Sequence, residues 1–240
     1  MKFHLVVPVH NESEIILNSL KIITDSLERT LVKDFQWKII LAENGSTDNT
    51  LQILKGINDK RVEILCLSKA GKGSALKESA KNFLLNSGDI FGFIDADLSS
   101  HPDNVLNLLE KMRTEKVDIV VASRFSSKQS IYENKLRKFC SGIFAFTVRT
   151  IFFIRVKDIQ CGLKIMNNKA AKMFTECEED KWFLDTEFMA KASKNGLKIA
   201  EVPVEWKEKV YKNRKSKLNL FRDGGRSLSA LWRIWWRLHF

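Results

Sequence analysis

Short, nearly continuous apolar runs alternate with segments whose apolar residues return every three or four positions along the first half of the chain. Lys2 to Val7, Trp37 to Ala42, Val62 to Leu67, Ile90 to Ile94 and Val117 to Ala122 have the length and β-branched content of buried strands. Ser13 to Leu31 carries Ile15, Ile16, Leu20, Ile23 and Leu27 at helical spacing, and Asp48 to Ile57, Ser74 to Leu85 and Asp103 to Met112 read as further helices. Strands that alternate with helices predict an α/β domain with a mostly parallel sheet covered on both faces. Sheets of that kind take their ligands beyond the carboxyl ends of the strands. The polar clusters fall there: His10-Asn11-Glu12, Glu43 to Asp48, Lys69 to Gly73, Asp95 to Asp97, and Ser123-Arg124. Five loops on one rim predict a binding crevice.

The second half has a different pattern. Asn134 to Ile154 is helical and very apolar, but Arg149 interrupts it and it is short for a membrane span, so a buried or membrane-surface helix is expected. A strand at Leu163 to Met166, a helix at Asp185 to Lys194 and a strand at Leu197 to Trp206 follow. Lys207 to Lys217 has no apolar face and reads as a mobile loop. Leu218 to Phe240 reads as an amphipathic helix with Trp232, Trp235, Trp236 and Phe240 among arginines. The predicted organisation is a catalytic domain over 1–206 and a C-terminal helical extension over 207–240.

Composition narrows the class. With 240 residues, 44% apolar and 29% charged, the chain can build a sizeable core and is not disordered, collagenous or multi-spanning. Of the net charge of +11, +8 lies in the last 34 residues, where ten basic side chains meet only Glu208 and Asp223. That excess calls for a polyanion. No nucleic-acid fold signature accompanies it, so nucleotide phosphates and anionic lipid are the expected partners and nucleic acid is not. Tryptophan and arginine together suit the interface of a bilayer; a helix packed on the domain with its arginines outward is the other reading of the tail. The four cysteines lack metal-ligand spacing and read as buried, reduced thiols in a reducing compartment. The apolar run Phe3 to Val9 contains Pro8 and is too short for a signal peptide. A peripheral protein on the cytoplasmic face of a membrane is expected.

Asp95-Ala96-Asp97 directly follows an apolar strand. Carboxylates so placed can bind a hard divalent cation such as Mg2+ or Mn2+ and bridge it to diphosphate oxygens. A bare Asp-x-Asp would equally serve as a helix cap; the four companion loops at the rim favour the cation.

Val6-Val7-Pro8-Val9-His10-Asn11-Glu12, Glu43-Asn44-Gly45-Ser46-Thr47-Asp48-Asn49-Thr50, Gly71-Lys72-Gly73-Ser74-Ala75 and Asp95-Ala96-Asp97-Leu98 occur in that order. The series resembles the family 2 glycosyltransferases, which implies a GT-A, Rossmann-like fold. Ser123-Arg124-Phe125, Asp158-Ile159-Gln160-Cys161-Gly162-Leu163-Lys164, Lys181-Trp182-Phe183-Leu184-Asp185-Thr186-Glu187 and Ser216-Lys217-Leu218 are similar to segments of the polyprenyl-phosphate hexosyltransferases, among them the dolichyl-phosphate glucose and mannose synthases.

The resemblance implies roles. Pro8, His10 and Glu12 would line a nucleoside pocket in which Glu43 reads the base beside Asn44. The family usually has aspartates at those last two positions, so the base, and with it UDP-glucose against GDP-mannose, stays open. Lys72 would approach the donor, and Asp95 and Asp97 would hold the metal with Ser99. Arg124 and Arg137 would clamp the acceptor phosphate, and Arg214, Ser216 and Lys217 would close over the diphosphate. Solvated surface charge is the alternative for the two arginines, and a helix cap for Asp185; Trp182 reads as packing. The implied reaction is an inverting hexosyl transfer to a polyprenyl phosphate. Transfer to a glycan, or a non-catalytic basic membrane-binding protein on the same fold, are the rival readings.

Overall fold

Seven strands form one mixed sheet: β1 (Lys2–Val9), β2 (Gln36–Asn44), β3 (Val62–Leu67), β4 (Ile90–Ile94), β5 (Ile119–Ser123), β6 (Leu163–Asn167) and β7 (Ile199–Pro203). They lie in the order β3-β2-β1-β4-β6-β5-β7. All neighbours are parallel except β6, which runs antiparallel to both β4 and β5. The helices are α1 (Ile16–Thr30), α2 (Thr50–Lys55), α3 (Lys72–Leu85), α4 (Asn104–Glu115), α5 (Lys135–Phe152), α6 (Asn168–Thr175), α7 (Leu184–Lys194) and α8 (Leu220–His239). This computed structural model describes residues 1–30, 35–67, 71–85, 89–126, 135–207 and 220–239, without the side chains of 85, 135–137 and 220–227.

Strand periodicity sorts the core into two layers, because successive side chains point to opposite faces. Val6, Ile40, Ala42, Phe91 and Phe93 face one side and meet α3, α5, α6, α7 and α8. Leu5, Val7, Ile39, Leu41, Ile90 and Ile94 face the other and meet α1 and α4. Phe91, Phe93, Phe174 and Phe188 are fully buried and pack ring on ring, Phe174 lying edge-on to Phe188 at 4.9 Å. Each such side chain contributes about 1.5–3 kcal/mol by leaving water.

All seven predicted strands and all seven predicted helices are present, with ends shifted by a few residues; the eighth helix, α6, was not anticipated. α8 sits on the first layer through Leu231, Ile234 and Leu238, while Trp232 and Trp236 stay exposed. Two of its arginines are paired with the domain: Arg233 lies 3.1 Å from Glu179, and Arg237 lies 3.0 Å from Glu178 and 3.3 Å from Glu179. One face of α8 is thus packed on the domain, as the second reading of the tail expects, and the other presents tryptophan. Among the described residues, no helix is long and apolar enough to cross a membrane.

The expectation of four buried thiols holds for Cys161 and Cys177 and needs correction for Cys66 and for Cys140, which is half-buried. Cys161 and Cys177 are buried, and burial pushes both thiols above their ordinary pKa, which makes them unreactive. Cys66 is exposed instead, because β3 is an edge strand and its side chains are covered on fewer sides.

Candidate active site

Asp95 is the first residue beyond β4. From there to Ser100 burial alternates: Ala96, Leu98 and Ser100 are buried, while Asp95, Asp97 and Ser99 are only half-buried. The turn that does this is strained. Leu98 sits in the left-handed region at φ 51°, where its N–H donates to the Asp95 carbonyl at 3.0 Å. A bulky residue there costs about 1 kcal/mol or more, and burial of the leucine side chain offsets it. Ser19 Oγ donates to the Ala96 carbonyl at 2.7 Å, and the Ser99 N–H to Asp97 Oδ1 at 2.9 Å. The three polar side chains predicted to act together therefore share one side of a braced loop.

Asp95 touches two things of consequence. Lys72 Nζ lies 2.5 Å from its Oδ1. Its Oδ2 rests on Gly162, so closely that a Cβ there would stand 1.9 Å from it. The second contact follows from register, since Ile94 faces Leu163 and Phe93 faces Lys164 across the antiparallel pair. Lys72 opens α3, and its ammonium lies 6.0 Å from the Phe93 ring centroid and 5.8 Å from that of Trp182. Burial works against the Lys72 charge, but Asp95, Asp185 and Asp97 outweigh it and hold the pKa above its ordinary value. Trp182, expected in packing, is instead exposed.

The loops after β1 and β2 brace each other. Asn44 Nδ2 donates to the Val9 carbonyl at 3.1 Å, and its Oδ1 accepts from the Gly71 N–H at 3.2 Å. An aspartate there could not make the first of these bonds, which accounts for the amide. His10 Nδ1–H donates to the Asn44 carbonyl at 3.1 Å, and Glu43 Oε1 accepts from the Ser46 N–H at 2.5 Å. Pro8 is half-buried opposite Ala42, and the Glu12 N–H donates to Thr50 Oγ1 at 2.9 Å. Asp48 accepts from the Thr50 hydroxyl, the Thr50 N–H and the Ser13 N–H. Burial alone would raise its pKa, but those hydrogen bonds prevail and bring it to about 2.

Two further ion pairs lie at this edge of the sheet, one just beyond β5 and one on β6 opposite Phe93. Arg124 meets Asp158 through a fork, Nε to Oδ2 at 2.7 Å and Nη2 to Oδ1 at 2.8 Å, with its plane 5.5 Å from the Trp206 ring. Asp158 is wholly buried, and its own N–H is held by Glu201. Asp185, in the first turn of α7, is paired with the fully buried Lys164 at 2.6 Å. Glu187, two residues further along the same first turn, accepts the N–H groups of Glu178 and Glu179 and so fixes the segment against which Gly73 packs.

Residues 4–174 match the sequence model of glycosyl transferase family 2. The chain belongs to that family. It is 29% identical over 238 residues to the glycosyltransferase AglD of Haloferax volcanii, spanning 98% of this chain and 37% of that protein. It is 32% identical over 215 residues to a dolichyl-phosphate beta-glucosyltransferase of Trichomonas vaginalis, spanning 85% of this chain and 63% of that one. The chain thus covers about a third to two thirds of the length of these curated relatives. Among solved structures, glucosyl-3-phosphoglycerate synthase from Mycobacterium tuberculosis, crystallised with Mn2+, UDP-glucose and phosphoglyceric acid, superposes with a TM-score of 0.66 at 20% identity, covering 98% of this chain and 79% of that one. The same synthase has been crystallised with Mg2+ and UDP. At that identity the likeness establishes the GT-A fold.

In this family 2 chain, the donor set suits a cation that is shared with its ligand. No group of three His, Cys, Asp or Glu side chains that could hold a metal occurs among the described residues. Asp95 and Asp97 supply two hard oxygens one residue apart, which fits Mg2+ or Mn2+ completed by diphosphate and water. Of the remaining predicted site residues, Arg137 falls in the first turn of α5, but its side chain lies outside the described residues, as do Arg214, Ser216, Lys217 and the rest of the loop expected beyond Lys207. Sequence reading assigned no part to Lys164, Asp158 or Gly162. The signal for Lys164 was present: a charged residue inside an apolar strand needs a buried partner.

Proposed function

We propose that this chain is an inverting hexosyltransferase that moves a sugar from a nucleotide-sugar, of the UDP-glucose or GDP-mannose type, to a polyprenyl phosphate such as dolichyl phosphate. The observation that carries the reading is the convergence at one rim of the acidic pair, Lys72, and the forked Arg124–Asp158 pair, in a chain similar to named dolichyl-phosphate beta-glucosyltransferases.

A phosphate monoester is already anionic and needs alignment more than a general base. One of its oxygens attacks the anomeric carbon, a carbon–oxygen bond forms, and the bond to the β-phosphate oxygen breaks with its electron pair leaving on the nucleoside diphosphate. Mg2+ or Mn2+ held by Asp95 and Asp97 would neutralise that leaving group. Lys72 supplies a cation beside the same pair. Arg124, its Nε–Nη2 edge locked on Asp158, is held in place for an incoming acceptor phosphate, and Arg137 at the start of α5 is its proposed companion. Asp185 orients Lys72. Pro8, His10, Glu12, Glu43 and Asn44 shape the nucleoside side, and Arg214, Ser216 and Lys217 close over the diphosphate.

Exposed apolar residues support a peripheral position at a membrane surface, and the cytoplasmic face is the one proposed. Trp232 and Trp236 project from α8, and Phe139, Ile143 and Phe146 from α5.

The test is a transfer assay with UDP- and GDP-sugars, polyprenyl phosphate, and either Mg2+, Mn2+ or a chelator. Glycosyl phospholipid should form with metal and fail to form with Asp95→Asn. Transfer to a glycan with none to the lipid phosphate would overturn the acceptor.

A further inference from the structure

Both oxygens of Asp95 are already engaged. Oδ2 occupies the space that a Cβ at Gly162 would take, and Oδ1 faces Lys72 Nζ at 2.5 Å. The side of the carboxylate from which a cation can approach is therefore the side where an ammonium stands. A lysine and a divalent ion do not share one carboxylate oxygen without strong repulsion.

Lys72 combines a fixed root with a long, flexible arm. Gly71 is tied to Asn44, the Ser74 N–H donates to the Asp180 carbonyl at 3.1 Å, and Gly73 lies so close to the Asp180–Lys181 backbone that a Cβ would stand 2.5 Å away. The start of α3 cannot retreat. The arm is paired with Asp95 and feels the charges of Asp185 and Asp97, with the Phe93 and Trp182 rings beside it. Asp185 is itself held by buried Lys164, so one of the arm's partners stays put whatever happens at Asp95.

We infer that Lys72 is an exchangeable counter-ion of Asp95: a divalent cation arriving with the donor takes over the carboxylate, and the released ammonium turns to the donor's diphosphate while Asp185, anchored by Lys164, keeps it at the site. The inference rests on the metal reading of the acidic pair. Its consequence is synergy. Metal alone must evict an ammonium that has nowhere better to go, whereas metal with diphosphate offers that ammonium an anion.

Mn2+ binding, followed by the loss of the free-ion electron paramagnetic resonance signal, tests this without turnover. Wild type, Lys72→Met, Lys72→Gln, Lys72→Arg and Asp95→Asn are titrated with and without UDP or GDP, each checked for folding by circular dichroism. Without nucleotide, Lys72→Met and Lys72→Gln should bind Mn2+ about tenfold more tightly than wild type, and Lys72→Arg should not. The nucleotide should improve Mn2+ affinity far less in the two uncharged variants. If folded Lys72→Met and Lys72→Gln bind Mn2+ no better than wild type while Asp95→Asn loses the ion, the exchange is wrong and the metal site stands. If Asp95→Asn binds as wild type does with nucleotide present, the metal reading fails and the exchange with it.

Discussion

Lys164 Nζ lies 2.6 Å from Asp185 Oδ1 and 2.7 Å from the Cys161 carbonyl, with none of its side chain exposed. Breaking such a pair from one side leaves an uncompensated buried charge, which costs about 3–5 kcal/mol. Lys164→Ala should lower stability by about that amount, read from urea denaturation. Lys164→Met with Asp185→Leu should regain much of it, yet still impair transfer, because the proposed mechanism has Asp185 orient Lys72. Equal stability of Lys164→Ala and wild type would remove the pair from the argument.

Gly162→Ala places a methyl group where Asp95 Oδ2 now rests. The obstacle is a side-chain end and not backbone, so the fold should survive while the carboxylate is turned away. A displacement of about 1 Å at a reacting site costs about a hundredfold. Near-native melting with kcat/KM reduced about that far is expected; unchanged kinetics would show that Asp95 can adapt.

The pH dependence of the Asp48 turn has a definite sign. Its folded pKa, about 2, lies below the ordinary aspartate value of about 3.9. The stabilisation is therefore complete above the ordinary value and is lost as pH falls from about 4 to about 2. Asp48→Asn should melt below wild type near neutrality, and the gap should close across that window. A gap independent of pH would mean that the aspartate acts only through shape.

Trp232 and Trp236 are exposed on α8, whose packed face is made by other residues. Replacing both by alanine should leave thermal stability nearly unchanged. It should also weaken cosedimentation with anionic vesicles by about 2 kcal/mol, close to thirtyfold. If binding to vesicles is unaffected, α8 does not face lipid.

The rim was legible because each polar cluster follows an apolar run long enough to be a strand. The neighbour relations were not. Nothing local says that Leu163 to Asn167 runs backwards between β4 and β5, since strand direction is settled by which edges remain to be paired. α6 has only Ala170, Ala171 and Phe174 as buried residues, too few for a helical period, and depends on the Asn167 side chain accepting the Ala170 N–H. Asn44 looked like a departure in a base-reading pair until its amide was seen tying three loops together. Arg124 and Asp185 were found as charges, but their partners Asp158 and Lys164 were not, because a buried pair is a property of the assembled core.

The reversed strand β6 has one more consequence, and it concerns time. A ribosome delivers the Asp95 loop long before it delivers Gly162 and Lys164, and β4 cannot reach β5 until β6 has been made to lie between them. The emerging half-chain can pair β1 to β4 locally, since domains begin folding during synthesis. It still lacks the wall that shapes its acidic loop. On the proposed reading, an unfinished polypeptide would lack the finished site and would hold no nucleotide-sugar hostage.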